Sequence, residues 1–438
     1  MSSSNAPPLD VALNAAISMR KKLAVPTPDL NAPAPSSAPD LFSNDYLSVT
    51  TNPKVRERFL ARIVKEPRVF GTSGSRLLFG NKSPHVQFEQ RMRAFFRWPA
   101  ALLFNSGYDA NLSFLHSVPQ PGDAIVFDEL MHASTRDGIN MSRCRHSQYG
   151  FAHNSVASFR EVLQKTLVRH PNIAAGKSTV FIAVETLYSM DGDFCPLRQI
   201  IETVEELVPK GSAHIMVDEA HTSGLFGDGR GLVPELGLQD RVHSILHTFS
   251  KTWGMSGAVF LTTPLVRHYM IGYARPMIYS TSLPYSHLVA LNTTWDFVSG
   301  PEGQALVPRL RALAAHFESA LHAALARAQV PSDLLALRPR AVPADFPAHV
   351  FSPVFPVLTR ASKALADVLD AGGYALTPIP FPVVPRGEER IRVVVHAGNT
   401  EAEIDEFVAR ICVWAREFAA REEQEKGEPR ATGVLARL

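Results

Sequence analysis

Between about residues 95 and 265, short runs of consecutive apolar residues alternate with stretches whose apolar positions recur every three or four residues. Ala101–Phe104, Ala124–Phe127, Thr179–Val184, His214–Val217 and Ser244–Leu246 are such runs. Without polar alternation, they predict strands buried on both faces of a mainly parallel sheet. Leu197, Ile200, Ile201, Val204 and Leu207 fall at helical spacing and predict a helix that packs on it. Past residue 300 the period lengthens: Leu306, Leu310, Leu313, Phe317 and Leu321 predict a long helix, followed by mixed strands and a last helix. That last helix opens with Thr400 and Glu403 in capping-box spacing and carries Ile404, Phe407, Val408 and Ile411 on one face. The pattern predicts an α/β protein: an N-terminal segment (1–50), a large domain (51–290), a smaller α+β C-terminal domain (291–420) and a charged, flexible tail (421–438). The N-terminal segment holds an amphipathic stretch around Leu9–Leu23 and a Pro/Ala/Ser-rich linker, Val25–Pro39.

Composition narrows the function. The 438 residues are 45% hydrophobic and 20% charged, as in an ordinary globular protein. Lys+Arg 44 against Asp+Glu 42 gives +2, too balanced for a chain that binds nucleic acid through phosphate neutralisation. Cys144, Cys195 and Cys412 are widely spaced and form no CxxC pair, so neither a disulfide framework nor a zinc site is expected. No run reaches the roughly 18 apolar residues of a membrane span, and the N-terminus lacks an apolar signal core. A soluble protein with a small-molecule partner, no membrane and no metal is expected.

Two phosphate and nucleophile motifs fail. Gly176-Lys177-Ser178 has Pro171 where a P-loop needs its first glycine, and a predicted strand follows it; no GxSxG elbow is present. Asp218 and His221, in His214-Ile-Met-Val-Asp-Glu-Ala-His221, stand just beyond a predicted buried strand, where open α/β sheets place ligands. About thirty residues on, His247-Thr-Phe-Ser-Lys251 sets a lysine after another strand. A lysine there can form a Schiff base. Pyridoxal phosphate (PLP) needs such a lysine, a carboxylate for its ring nitrogen, donors for its phosphate and a flat group for its ring face. Lys251, Asp218, Thr248, the amides of Gly107 and Tyr108 at a strand-to-helix turn, and His132 are the candidates.

In order and spacing these segments resemble the α-oxoamine synthases, PLP enzymes that condense an amino acid with an acyl-CoA and release carbon dioxide. The resemblance runs from about Leu41 to Val413 through Ser43–Leu47, Gly74-Ser-Arg76 with His85 and Glu89, Ser106-Gly-Tyr108, His132-Ala-Ser134, Ser189-Met-Asp-Gly-Asp193, Val217-Asp218, Ala220-His221, Thr248–Lys251 and Arg390-Ile-Arg392. It implies the α/β fold of PLP-dependent transferases of fold type I, aspartate-aminotransferase-like. It also implies roles: Lys251 binds PLP, Asp218 pairs with the ring nitrogen, His132 stacks on the ring, and Ser189 and His221 lie near the phenolic oxygen. Thr248, Gly107 and Tyr108 hold the phosphate, with Thr281 reaching it from the second subunit of a homodimer. Arg392 clamps the amino-acid carboxylate, with Asn44 in the substrate site.

Ser75-Arg76-Leu77 departs from the Thr-Arg-Asn usual in the haem-pathway branch. Phe151-Ala-His-Asn154 and Ile278–Leu283 resemble the biotin-pathway branch, which joins L-alanine to pimeloyl-CoA. Another amino acid or acyl-CoA on the same fold is an alternative, as is a non-catalytic partner subunit, which Lys251 argues against. Ala436-Arg437-Leu438 has the small-basic-leucine form of a peroxisomal signal, so peroxisomal location through the import receptor is expected, and cytoplasmic otherwise.

Overall fold

The short apolar runs become strands because each can bury side chains on both faces while the intervening amphipathic segments cover them as helices. The computed structural model describes residues 7–22, 38–340, 342–374 and 376–427. Among them, β1 (Ala100–Phe104), β2 (Ala124–Asp128), β3 (Gln148–Phe151), β4 (Val180–Glu185), β5 (Ala213–Asp218), β6 (Ser244–Thr248) and β7 (Ala258–Thr262) form one sheet. Its order is β1-β7-β6-β5-β4-β2-β3. The pairs β3–β2, β2–β4, β4–β5 and β5–β6 are parallel, whereas β7 runs antiparallel to β6 and β1. Every residue of β1, β2, β4, β6 and β7 is buried. Because β2, β4, β5 and β6 share a direction, their C-terminal residues Asp128, Glu185, Asp218 and Thr248 open on one edge of the sheet.

The small domain carries an antiparallel sheet of β8 (Ala336–Leu337), β9 (Val354–Leu358), β10 (Pro378–Ile379) and β11 (Arg390–Val394), ordered β10-β11-β9-β8. Helices Leu306–Ala328 and Glu401–Gly427 cover it, with Phe317 packed between Phe355 and Phe407. The capping box closes as predicted: Thr400 N–H donates to Glu403 Oε2 at 2.8 Å and Glu403 N–H to Thr400 Oγ1 at 3.2 Å.

Three boundaries move. Residues 40–50 belong to the body: Leu41, Tyr46, Leu47 and Val49 are buried, and the carbonyls of Leu41 and Tyr46 accept from the amides of Val394 and Ala397. The helix Tyr285–Val298 crosses the expected boundary at 290, because Trp295 stacks on Trp253 of the large domain at 4.0 Å. At the other end the last helix continues to Gly427, past 420, where Glu422 pairs with Arg360 at 2.6 Å. The linker up to Ser37 and the tripeptide Ala436–Leu438 lie outside the described residues. All three cysteines are free and buried. No described helix is long and apolar enough to cross a membrane. The described residues contain no His/Cys/Asp/Glu group able to hold a metal ion.

Candidate active site

The strand ends converge on a cleft of about 240 Å³ lined by residues that include Gly107, Tyr108, His132, Asp218, His221, Thr248 and Lys251. Asp218 ends β5 and is fixed on both oxygens: Oδ2 accepts from Asn111 Nδ2 and Oδ1 from Ala220 N–H, each at 2.8 Å. Asn111 lies one turn into the helix Gly107–Ser117, so the helix whose N-terminus faces the cleft also holds the carboxylate. Ser106 caps that helix, accepting from Asp109 N–H at 3.0 Å.

His132 caps the helix Ala133–Asn140, its Nδ1 accepting from Ser134 N–H at 3.1 Å. Its own peptide N–H donates to Glu185 Oε1 at 2.6 Å. Burial lowers the pKa of this ring, which favours a neutral, flat surface in the cleft. Lys251 is pushed down to about 8 by burial, against the opposing pull of the Asp218 and Glu185 carboxyls. Burial, followed by the nearby Asp218 charge, raises the Glu185 pKa well above the ordinary carboxylate range.

A Cβ on Gly107 would stand 3.2 Å from both Cβ and Oγ1 of Thr248. Glycine therefore keeps open a gap between a helix N-terminus and a hydroxyl, which is what an anion needs. Thr248 Oγ1 also meets Ser250 Oγ at 3.0 Å. With a buried lysine on one side and a braced carboxylate on the other, the residues present fit PLP.

His221 reaches the cleft from beyond β5. Burial, then the nearby Lys251 and Arg392 charges, holds its pKa well below the usual range. Its Nδ1 lies 2.5 Å from the Tyr46 hydroxyl, whose proton burial holds in place. The Tyr46 hydroxyl also lies 3.5 Å from Asn44 Oδ1, so this phenol links His221 to Asn44. Arg392, in β11, donates from Nε to the Ser189 carbonyl at 2.6 Å and from Nη2 to Asn44 Oδ1 at 2.7 Å. Arg390 is fully buried and tied to Asp191 at 2.6 Å, so of the two arginines Arg392 is the one turned to this side.

The cleft brings together Gly107, Tyr108, His132, Asp218, His221, Thr248 and Lys251. Arg392 and Asn44 join it through the hydrogen bond between them and through Tyr46. Ser189 contributes its carbonyl to Arg392 rather than a side chain to the cleft lining. Thr281 is exposed, outside the cleft of its own chain, with its carbonyl accepting from Asn105 Nδ2 at 2.9 Å. The Tyr108 hydroxyl donates to Asp137. Sequence reasoning missed Asn111, Glu185 and Tyr46. Glu185 had a signal, a carboxylate ending a buried strand; Asn111 had only its place one turn after Gly107.

Fold and site together define a fold type I PLP enzyme. The chain belongs to the aminotransferase class I and II family, whose model matches residues 40–411, and within it is a PLP-dependent acyltransferase of the α-oxoamine synthase kind. It is 40% identical to an 8-amino-7-oxononanoate synthase of Emericella nidulans over 87% of this chain and 90% of that one. To the aminoacyl transferase sphA of Aspergillus fumigatus it is 33% identical, over 91% and 86%. A Sphingomonas wittichii serine palmitoyltransferase structure shares the fold with a TM-score of 0.76 at 23% identity, covering 95% of this chain and all of that one.

The lowered pKa of Lys251 sets a pH dependence for cofactor loading. The neutral amine is the reactive form, and its fraction rises as pH passes upward through about 8. Loading of the apoprotein with PLP, followed by absorbance, is expected to accelerate from pH 7 to 9 and then level off. A flat rate over that range would contradict the assignment.

Proposed function

We propose that this protein joins L-alanine to pimeloyl-CoA, giving 8-amino-7-oxononanoate, CoA and carbon dioxide, as a homodimer. The observation that carries this reading is the 40% identity to the Emericella nidulans enzyme across nearly the full length of both chains. Bound PLP supplies an aldehyde for attachment and a ring that accepts negative charge from the Cα of the amino acid. The chain's own residues do the rest. Arg392 offers its remaining N–H groups to the carboxylate, with its direction fixed by Ser189 and Asn44. Lys251, once free, removes the proton from Cα and later returns one. Asp218 would hold a proton on the ring nitrogen, and His132 would cover one ring face. Burial around Lys251, His132 and His221 keeps water from reprotonating Cα early.

Exposed Phe70, Phe79 and Tyr279 stand beside the Ser75–Thr281 bridge and support a second copy covering this surface. The 33% identity to an aminoacyl transferase favours one alternative, the same chemistry with a different amino acid or acyl chain. Product analysis separates the two. Alanine, glycine and serine are each offered with acyl-CoAs of increasing length, with and without a terminal carboxylate. The highest kcat/KM is expected for alanine with pimeloyl-CoA; preference for serine or for a long unsubstituted chain sinks the reading.

A further inference from the structure

His153, Asp128, Asp193 and Asn154 form a charged cluster that the chemistry above leaves unused. His153 Nδ1 lies 2.8 Å from Asp128 Oδ1, and Nε2 lies 3.1 Å from Asp193 Oδ2. Both ring nitrogens face carboxylates, and only the doubly protonated ring can donate to both. Burial opposes that charge, but the two carboxylates outweigh it and raise the His153 pKa to about 10. Asn154 repeats the bridge, donating from its amide to Asp128 at 2.9 Å and from Nδ2 to Asp193 at 3.0 Å. The cluster thus ties the end of β2, four residues before His132, to Asp193.

Asp193 closes a tight turn. Tyr188 N–H donates to the Asp193 carbonyl at 3.0 Å, and Gly192 N–H to the Tyr188 carbonyl at 2.9 Å. Gly192 has φ +64°, and a Cβ there would fall 2.3 Å from the carbonyl oxygen of Val354, in β9. Glycine lets the turn press directly on the small domain. From it the Met190 carbonyl and the Asp191 carboxylate accept from Arg390 Nη1 at 3.0 and 2.6 Å, and the Ser189 carbonyl accepts from Arg392 Nε at 2.6 Å.

We propose that His153 is a positioning residue for amino-acid recognition: through Asp193 it holds the Ser189–Asp193 turn in the place from which the Ser189 carbonyl aims Arg392. This rests on the reading of Arg392 as the carboxylate clamp. Removing the cation leaves Asn154 alone bridging Asp128 and Asp193, with no positive charge between the two carboxylates, and loosens the hold on the turn.

The test compares H153Q with R392Q in the full-length, PLP-loaded protein, with hydrogen exchange on the apoproteins. H153Q is expected to raise the KM for the amino acid about 10-fold, with kcat changed less than about 3-fold and PLP affinity less than about 2-fold. In the apoprotein, H153Q is expected to speed amide exchange at Tyr188 and Gly192. Should H153Q not fold, D193A removes the acceptors of the link while His153 keeps Asp128, and the same KM rise is expected. An unchanged KM or unchanged exchange in the folded variant, while R392Q raises KM, overturns the inference alone. An unchanged KM in R392Q overturns the clamp and the inference with it.

Discussion

Replacing Lys251 with alanine is expected to lower kcat by at least about 10³-fold while leaving the protein folded. Lys251 is the one primary amine among the residues that line the cleft. It has two tasks, attaching the cofactor and moving the Cα proton, and neither has a substitute nearby. His132 already uses Nδ1 as acceptor for the cap of its own helix, and His221 uses Nδ1 for Tyr46. Both imidazoles have lowered pKa values that make them weak bases. Burial lowers the Lys251 pKa to about 8 against the upward pull of the nearby Asp218 and Glu185, so a substantial fraction of the amine is neutral near that pH. The check is steady-state turnover of K251A beside its circular dichroism spectrum. Near-normal turnover would show that the proton is handled elsewhere.

The second large effect is at Asp218. D218A removes a buried charge that answers two buried donors, Asn111 Nδ2 and the Ala220 amide. Breaking one side of a buried charged pair costs about 3–5 kcal/mol, so the dissociation constant for PLP is expected to rise by roughly 10²–10⁴-fold. D218N keeps the shape and not the charge, and is expected to bind the cofactor weakly and to lose most turnover. Glu185 lies directly opposite Asp218 in the sheet register, so removing the Asp218 charge also relieves part of the upward push on the Glu185 pKa, of which burial is the larger cause. PLP titration of D218A by absorbance checks the effect. Unchanged affinity with an unchanged spectrum would remove Asp218 from the site.

Much of the architecture was legible because burial on both faces leaves a one-dimensional mark. The runs at 101–104, 124–127, 179–184, 214–217 and 244–246 each became a strand, and the capping box at Thr400 closed as written. The edge strand β3 left no such mark, since Phe151 is its one buried residue. Domain boundaries were less legible, because they depend on partners distant in sequence: Trp295 finds Trp253, Tyr46 finds His221, and Glu422 finds Arg360. The same reason hides Asn111 and Glu185. An asparagine on a helix and a carboxylate at a strand end become site residues only once β4, β5 and the helix Gly107–Ser117 lie side by side. Motif order, by contrast, brought Lys251, Asp218 and His132 forward, since three strand ends of one parallel sheet must open on the same edge.

The central claim is that this chain runs a PLP-dependent condensation of an amino acid with an acyl-CoA. The most direct measurement is CoA release by the purified, PLP-loaded protein given L-alanine and pimeloyl-CoA, with the amino ketone identified by mass spectrometry. CoA release that requires both substrates and yields 8-amino-7-oxononanoate in equal amount is the predicted result. CoA release without amino acid, or no release with any amino acid and acyl-CoA pair despite bound PLP, would contradict it.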